Sequence, residues 1–149
     1  MFANNKQITS FRGFKLFTGL KVLGDVLPYY VSFSNCTSLE TIELPSSLVK
    51  FSYQSLCNTG LKEITIPANV REILGESIIR NKKLTTIILL PNTPPKINDS
   101  SIHRLNENLK YIYVPDPSLE RYKQEYSRFW LAKLIRPLSE YQGWYSLSG

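Results

Sequence analysis

Hydrophobic and polar residues alternate in a short segment that recurs along the chain and ends each time in proline. The copies read LETIELP at 39–45, LKEITIP at 61–67, LTTIILLP at 84–91 and LKYIYVP at 109–115, with leading leucines 22, 23 and 25 residues apart. Side chains on a β-strand point alternately to its two faces, so the isoleucine of each copy faces a core while the residues beside it face outward. Proline has no N–H to offer a neighbouring strand, and it therefore ends each segment.

A repeat of about 20–25 residues is the signature of stacked repeats, because one short strand cannot bury its own apolar face. We therefore predict a β-rich repeat solenoid of about four to five units with short helices and turns. The proline-terminated segments are expected to lie next to one another as rungs that share one interior. The isoleucines expected inside are Ile42, Ile64, Ile87 and Ile112.

Apolar residues also recur after each proline, where the chain is expected to return along the core. These inward positions are Leu48, Phe51, Val70, Ile73, Ile97 and Ile102. An asparagine precedes each of the first three leading leucines, at 35, 58 and 81, and this residue suits a left-handed corner. The additional residue in the third copy predicts a bulge or a wider corner, and Pro94 with Pro95 predicts an extended segment.

The two ends of the repeat array are expected to be covered. Residues 1–19 form a lead-in whose phenylalanines predict a short helix or turn over the open end. Residues 20–23 resemble a degenerate first copy of the strand. The repeats are therefore placed at 20–115. After Pro115, Asp116 is expected to be an N-cap and Pro117 the first helical residue of a capping segment at 116–137. The apolar stripe of that helix is Leu119, Tyr122, Tyr126, Phe129 and Trp130. Residues 138–149 are expected to be a loose tail, in which Trp144 and Tyr145 are free to pack.

Composition places the chain among globular proteins of one domain, since 42% of its 149 residues are hydrophobic. No run of about 18 apolar residues is present, so no membrane span is expected. The first residues lack the apolar stretch of a signal peptide. Two interpretations follow: the protein stays in the cytoplasm, or this chain is a piece of a longer protein.

Positive charge is in excess, with a formal net charge of +6. A basic balance can indicate a nucleic-acid partner or an anionic surface. The basic residues are scattered among predicted loops, and the chain has no Gly-rich or aromatic–basic motif of the known nucleic-acid-binding modules. A solvated convex face is therefore favoured, and no nucleic-acid partner is expected.

The two cysteines, Cys36 and Cys57, are too few for a disulfide framework. Both precede a leading leucine, so stacking would bring them near each other and a disulfide is geometrically open. The favoured interpretation is a pair of buried thiols that behave as small hydrophobic groups.

Candidate catalytic chemistry is sparse. His103 is the single histidine, and neither a second histidine nor a cysteine cluster accompanies it at ligand spacing. A hydrolytic triad would have to recruit this one residue, and no serine lies in a nucleophile motif. We expect no enzyme activity, no metal and no cofactor, with His103 in a surface loop.

The outward strand positions are the best candidate for a binding surface. They are Thr41, Glu43, Glu63, Thr65, Thr86, Ile88, Tyr111 and Tyr113. Exposed tyrosines beside an isoleucine are typical anchors of a protein contact, and a sugar ring can stack on them as well. The alternative is that Thr, Ile and Tyr occur there only because they favour strands.

The units follow a pattern close to F-x-N-C-x-x-L-x-x-I-x-I-P and are closest to it at 33–45 and 58–67. This pattern resembles the BspA-type leucine-rich-repeat family of bacterial surface proteins. The ending is similar as well, with Pro94–Pro95, the last strand and the aromatic segment to Pro137, so the resemblance covers about residues 8–137. It implies a leucine-rich-repeat stack with a C-terminal capping helix and a non-enzymatic adhesion module. That module would be secreted or on the cell surface and would bind a protein or glycan of a host or neighbouring cell. A structural spacer or accessory fragment of a longer surface protein is the alternative.

Overall fold

The computed structural model describes residues 2–24 and 31–141. Its strands are β1 (Ser10–Phe11), β2 (Val22–Leu23), β3 (Thr41–Ile42), β4 (Lys50–Phe51), β5 (Leu56–Cys57), β6 (Glu63–Ile66), β7 (Glu72–Ile73), β8 (Ile78–Ile79), β9 (Thr86–Leu89), β10 (Tyr111–Val114) and β11 (Ile135–Pro137). The α-helix α1 spans Leu119–Glu125. Short 3-10 helices cover Arg12–Leu16, Asp116–Ser118, Trp130–Leu134 and Leu138–Glu140.

The largest sheet is a parallel ladder in the order β11-β10-β9-β6. Its register places Ile64 beside Ile87, Ile87 beside Ile112, and Ile112 beside Ile135. Three of the four proline-terminated segments therefore lie next to one another with their isoleucines aligned, as the repeat predicts.

The first proline-terminated segment does not join this ladder, and here the prediction of one continuous row is wrong. Strand β3 pairs with β1 in a separate parallel ladder, with Ser10 beside Thr41 and Phe11 beside Ile42. The lead-in therefore supplies a strand of its own. The 3-10 helix that follows it, Arg12–Leu16, buries Phe14, so the expected short helix or turn is present at this end.

Two further parallel ladders are present besides the main ladder and the β1–β3 pair. One joins β2, β4 and β7 and continues through a bridge between Glu72 and Lys96, and the other joins β5 and β8 and continues through a bridge between Ile78 and Ile102. Since Val22 pairs with Lys50, the segment at 20–23 is a copy of the return leg. Its interpretation as a degenerate first strand of the leucine–isoleucine type is wrong.

The core runs through all these ladders. The leading leucines Leu39, Leu61, Leu84 and Leu109 are buried in one cluster with Ile64, Ile87, Ile112 and the return-leg residues Leu48, Phe51, Val70, Ile73 and Ile102. Ile42 and Ile97 are partly buried and pack against the same cluster. The shared interior is therefore confirmed, although the strands that enclose it belong to more than one ladder.

The corner asparagines behave as expected in the first two copies. Asn35 has φ 61° and Asn58 has φ 53°, and the Asn58 side-chain amide donates to the Asn35 side-chain oxygen at 3.0 Å. In the third copy Arg80 takes the left-handed conformation at φ 61°. Asn81 is instead fully buried and donates to the Leu56 carbonyl at 2.8 Å.

A row of buried serines was not anticipated from the sequence. Ser55, Ser77 and Ser101 have no exposed surface. Their hydroxyls lie 2.6 Å from carbonyl oxygens, those of Ser52, Leu74 and Ile73 respectively. These bonds satisfy backbone acceptors that the tight corners leave without a strand partner.

The C-terminal end differs from the expected capping helix. Helix α1 ends at Glu125, and Ile135–Pro137 is a strand beside β10 rather than part of a helix. Asp116 is not an N-cap, because its carboxylate accepts a hydrogen bond from the Ser139 N–H at 3.0 Å instead. Hydrogen bonds from Ser139 hold the pKa of the Asp116 carboxyl below its ordinary value.

Aromatic side chains nevertheless cover this end of the core. The hydroxyls of Tyr122 and Tyr126 donate at 2.6 Å to the carbonyls of Pro91 and Pro95 respectively. The Trp130 indole N–H donates to the Ile102 carbonyl at 2.8 Å. Arg121 and Glu125 form the i,i+4 ion pair on the outer side at 2.9 Å. The predicted stripe is thus present, but it is distributed over α1, the turn after it and the start of the 3-10 helix Trp130–Leu134.

The additional residue of the third copy lies after its strand. Strand β9 pairs residue for residue with β6, from Glu63 beside Thr86 to Ile66 beside Leu89. Of the two predicted alternatives, the wider corner is therefore the one present, and Leu90 occupies it.

Cys36 and Cys57 are both free and buried, so the interpretation as buried thiols is confirmed. Burial raises the pKa of each thiol. Within residues 2–24 and 31–141, no helix is long and apolar enough to cross a membrane. Trp144 and Tyr145 of the predicted tail lie outside the described residues.

Candidate ligand-binding face

The outward side chains of the main ladder form a row across three neighbouring strands. Glu63 on β6, Thr86 on β9 and Tyr111 on β10 occupy matching register positions. Because adjacent strands lie about 4.8 Å apart, this row extends over about 10 Å. Glu63 and Thr86 are partly exposed and Tyr111 is exposed. The row therefore offers a carboxylate, a hydroxyl and an aromatic ring on one surface.

Tyr111 is the most prominent side chain of the row, with 42% of its surface exposed. Its ring stacks on that of Tyr113 with centroids 5.7 Å apart and an interplanar angle of 26°. Such a stack limits the rotamers of an exposed ring. The side-chain entropy that is lost when a ligand binds to the ring is therefore smaller.

A cleft of about 370 Å³ lies at the junction of β3 and β6. Its lining residues are Glu40, Thr41, Ile42, Lys62, Glu63 and Thr65. Three predicted site residues, Thr41, Glu63 and Thr65, thus meet in one cleft although β3 and β6 belong to different ladders. Charged groups of both signs and two hydroxyls suit a polar ligand.

The prediction that Ile88 and Tyr113 are exposed is wrong. Thr65, Ile88 and Tyr113 occupy the second row of the face, but Ile88 is 0% exposed and Tyr113 is 8% exposed. Both are packed in a small separate cluster with Leu138, and Leu90 and Tyr141 lie against it. The segment at 138–141, here called the C-terminal strap, therefore covers this part of the strand face.

The strap is attached to the face by a hydrogen bond to a predicted site residue. The Tyr141 hydroxyl lies 2.6 Å and 2.7 Å from the two carboxylate oxygens of Glu63, and its ring meets Tyr113 edge-on at 5.3 Å. Burial, followed by the hydrogen bond to Glu63, raises the pKa of Tyr141 to about 12. The phenol therefore stays protonated near neutral pH and donates to the carboxylate.

Glu43, the remaining predicted site residue, is engaged in an ion pair with the lead-in rather than with the other predicted site residues. It is exposed just after β3, and its carboxylate forms an ion pair with Lys15 at 3.0 Å. This pair joins the 3-10 helix Arg12–Leu16 to β3. Since both side chains are exposed, such a pair is worth at most about 1 kcal/mol.

The candidate for catalysis, His103, forms a hydrogen bond within its own loop. It is partly buried, and its Nδ1 accepts a hydrogen bond from the Leu105 N–H at 3.0 Å. Among the described residues, no group of three or more His, Cys, Asp or Glu side chains is placed to hold a metal ion.

Sequence reasoning missed the contributions of Lys62 and Tyr141 to this face. The position of Lys62 directly after a leading leucine was a signal that it borders the strand face, because that position recurs in every copy. Tyr141 carried no such signal, since it lies outside the repeat and reaches the face only through the fold.

The comparison with protein families gives one match over most of the chain. The family described as BspA type leucine rich repeat region matches residues 29–127 in six copies. A search of curated proteins finds no match.

Proposed function

Because the chain belongs to the BspA-type leucine-rich repeat family, we propose that it is a non-enzymatic interaction module of adhesion type. It binds a protein or a glycan through the residues of the strand face that keep exposed surface beside the strap. The binding residues are Thr41, Glu63, Thr65, Thr86 and Tyr111, with the cleft between β3 and β6 as the deeper part of the site. A secreted or cell-surface location follows from the same family.

The observation that carries the proposal is the row formed by Glu63, Thr86 and Tyr111. A half-exposed aromatic ring held by a second ring is a common anchor in protein and carbohydrate recognition. The neighbouring hydroxyl and carboxylate add hydrogen-bonding groups at the strand spacing, which gives direction to the contact.

The proposal includes a solenoid architecture that presents this face. Its support is the set of parallel ladders, in which successive copies contribute strands to the same sheets, and the single core cluster that runs through them. In such a stack the outward residues of each copy repeat across one rigid surface. The aromatic C-terminal segment would then serve as the cap of the last copy.

A test compares Tyr111→Ala with Tyr53→Ala on arrays of glycans and extracellular-matrix proteins. Tyr53 is a matched control because it is similarly exposed, at 45%, yet lies in a corner after β4. We expect Tyr111→Ala to weaken binding to the array ligand about tenfold or more, as for an anchor residue, and Tyr53→Ala to leave it unchanged. Circular dichroism confirms that both variants are folded. An unchanged binding profile for folded Tyr111→Ala would contradict the assignment of this face.

A structural spacer is the second candidate function. The strap favours it, because it already covers the apolar part of the face, Ile88 and Tyr113. An array on which the wild-type chain binds nothing would support the spacer.

A further inference from the structure

Four lysines from three successive turns of the chain surround one surface depression of about 410 Å³. Its lining residues are Lys62, Lys82, Lys83, Thr85, Asn108 and Lys110. The depression is separate from the cleft between β3 and β6, although Lys62 borders both. These lysines lie up to 48 positions apart in the sequence, so the sequence alone does not indicate that they form a cluster.

The backbone holds the lysine positions in a regular arrangement. The Thr85 N–H donates to the Lys62 carbonyl at 3.0 Å, and the Lys110 N–H donates to the Thr85 carbonyl at 2.9 Å. Lys62 and Lys110 therefore flank Thr85 on adjacent rungs, about 10 Å from each other. The Asn108 side-chain amide donates to the Lys82 carbonyl at 2.6 Å and ties the corner that carries Lys82 and Lys83 to the next turn.

The acidic residues that share a pocket with these lysines lie outside the depression, as Glu40 and Glu63 do in the cleft that Lys62 also borders. None of the lining residues of the depression is acidic, and the lysine ion pairs of residues 2–24 and 31–141 involve only Lys15 and Lys50. Glu107 lies in a neighbouring depression, together with Arg80 and Lys82. Like charges gathered within about a Debye length of 8–10 Å repel one another. An anionic ligand would relieve this repulsion.

We propose that this lysine depression binds an anionic polysaccharide that carries carboxylate or sulfate groups. The lysines meet the anionic groups, while Thr85 and Asn108 offer the neutral hydrogen-bonding groups that sugar hydroxyls require. The absence of any apolar lining residue disfavours a folded protein partner, because interface cores are depleted in lysine and rich in apolar and aromatic residues. Single-stranded nucleic acid is disfavoured because the lining contains no aromatic ring on which a base can stack.

The test uses dextran sulfate as the probe, with neutral dextran and a single-stranded DNA oligonucleotide as comparisons. The variant is Lys83→Gln/Lys110→Gln, and the control is Lys123→Gln/Lys133→Gln, which removes the same charge from exposed lysines on and after α1. Titrations at low and at physiological salt, with circular dichroism on each protein, give the dissociation constants of folded protein. Neither pair includes a residue of the proposed strand-face site or of its cleft, so we expect the array result for that site to be independent of this one.

We expect the Lys83/Lys110 variant to raise the Kd for dextran sulfate about tenfold to thirtyfold at low salt. The control pair should raise it less than about threefold, and neutral dextran should not bind. Equal losses for the two pairs would overturn the proposal, because they would show a response to net charge alone. It is likewise overturned if the wild-type chain does not bind dextran sulfate or binds the DNA oligonucleotide more tightly.

Discussion

At the scale of single residues, polar side chains decide how closely successive turns approach. Asn35 and Asn58 occupy left-handed corners, whereas Ser55, Ser77 and Ser101 bond to carbonyls inside the stack. No buried side-chain nitrogen or oxygen of the described residues lacks a hydrogen-bond partner. The interior therefore tolerates these polar groups because each one is paired, which removes most of the cost of their burial.

Gly60 lies where one turn of the chain approaches the backbone of the preceding turn very closely. A Cβ at this position would lie 2.6 Å from the Thr37 carbonyl oxygen and 2.9 Å from that of Leu39. We expect Gly60→Ala to lower the free energy of unfolding by about 1–3 kcal/mol, because the backbone of one turn must move away from the next. Urea denaturation measures the change.

The control for this prediction is Gly19→Ala. A Cβ at Gly19 would have no heavy atom within 4 Å, so the substitution should change stability by less than about 1 kcal/mol. Equal destabilisation by the two substitutions would show that the contact with the preceding turn is not the cause.

At the scale of elements, the aromatic C-terminal segment closes the core through hydrogen bonds as well as apolar contact. Tyr122 on α1 and Tyr126 directly after it are buried, and each hydroxyl reaches a proline carbonyl of the preceding turn. Their ring spacing of 5.5 Å with an interplanar angle of 85° adds an edge-to-face contact between them. A helix of seven residues is too short to be stable alone, so these contacts hold α1 in place.

The phenolic hydroxyl of Tyr126 can be removed without changing the ring. We expect Tyr126→Phe to destabilise the protein by about 1–3 kcal/mol, since the Pro95 carbonyl then loses its donor in a buried setting. Tyr53→Phe, on an exposed ring, should change stability by no more than about 0.5 kcal/mol. Chemical denaturation of both variants is the measurement. An unchanged stability for Tyr126→Phe would contradict a stabilising role of the Tyr126 hydroxyl.

The strap determines which outward side chains of β9 and β10 are exposed. The alternation of β9 and β10 correctly directs Ile88 and Tyr113 away from the main core. It does not report that Leu138 and Tyr141 then cover them. Alternation is a property of a single strand, whereas exposure depends on what the rest of the chain lays over it.

At the scale of the whole molecule, the buried tyrosines link stability to alkaline pH. Burial raises the pKa of Tyr122 and Tyr126 well above the usual range and that of Tyr141 to about 12. For a group whose pKa is raised on folding, the stabilisation is complete below the unfolded pKa of about 10 and is lost as pH rises through the folded value. The raised thiol pKa values of Cys36 and Cys57 act in the same direction above the unfolded thiol pKa of about 8.5. Stability should therefore be steady only from about pH 7 to about pH 8, and the tyrosines should add a further fall between about pH 10 and about pH 12.

Urea midpoints across this pH range, read together with phenolate absorbance, check the prediction. The variant Tyr122→Phe/Tyr126→Phe is less stable at neutral pH but should lose less stability between about pH 10 and about pH 12. A wild-type protein whose buried tyrosines ionise while it stays folded would contradict the assignment.

The sequence by itself determined the copies of the strand, their prolines, the inward isoleucines and the first two corner asparagines. All of these follow from the local period and from the backbone preferences of single residues. The tertiary structure alone decided that β3 pairs with β1, that Tyr141 reaches Glu63 over 78 positions, and that Lys62, Lys83 and Lys110 share a depression. These features depend on which distant segments meet, and a local pattern of polar and apolar residues carries no information about that choice.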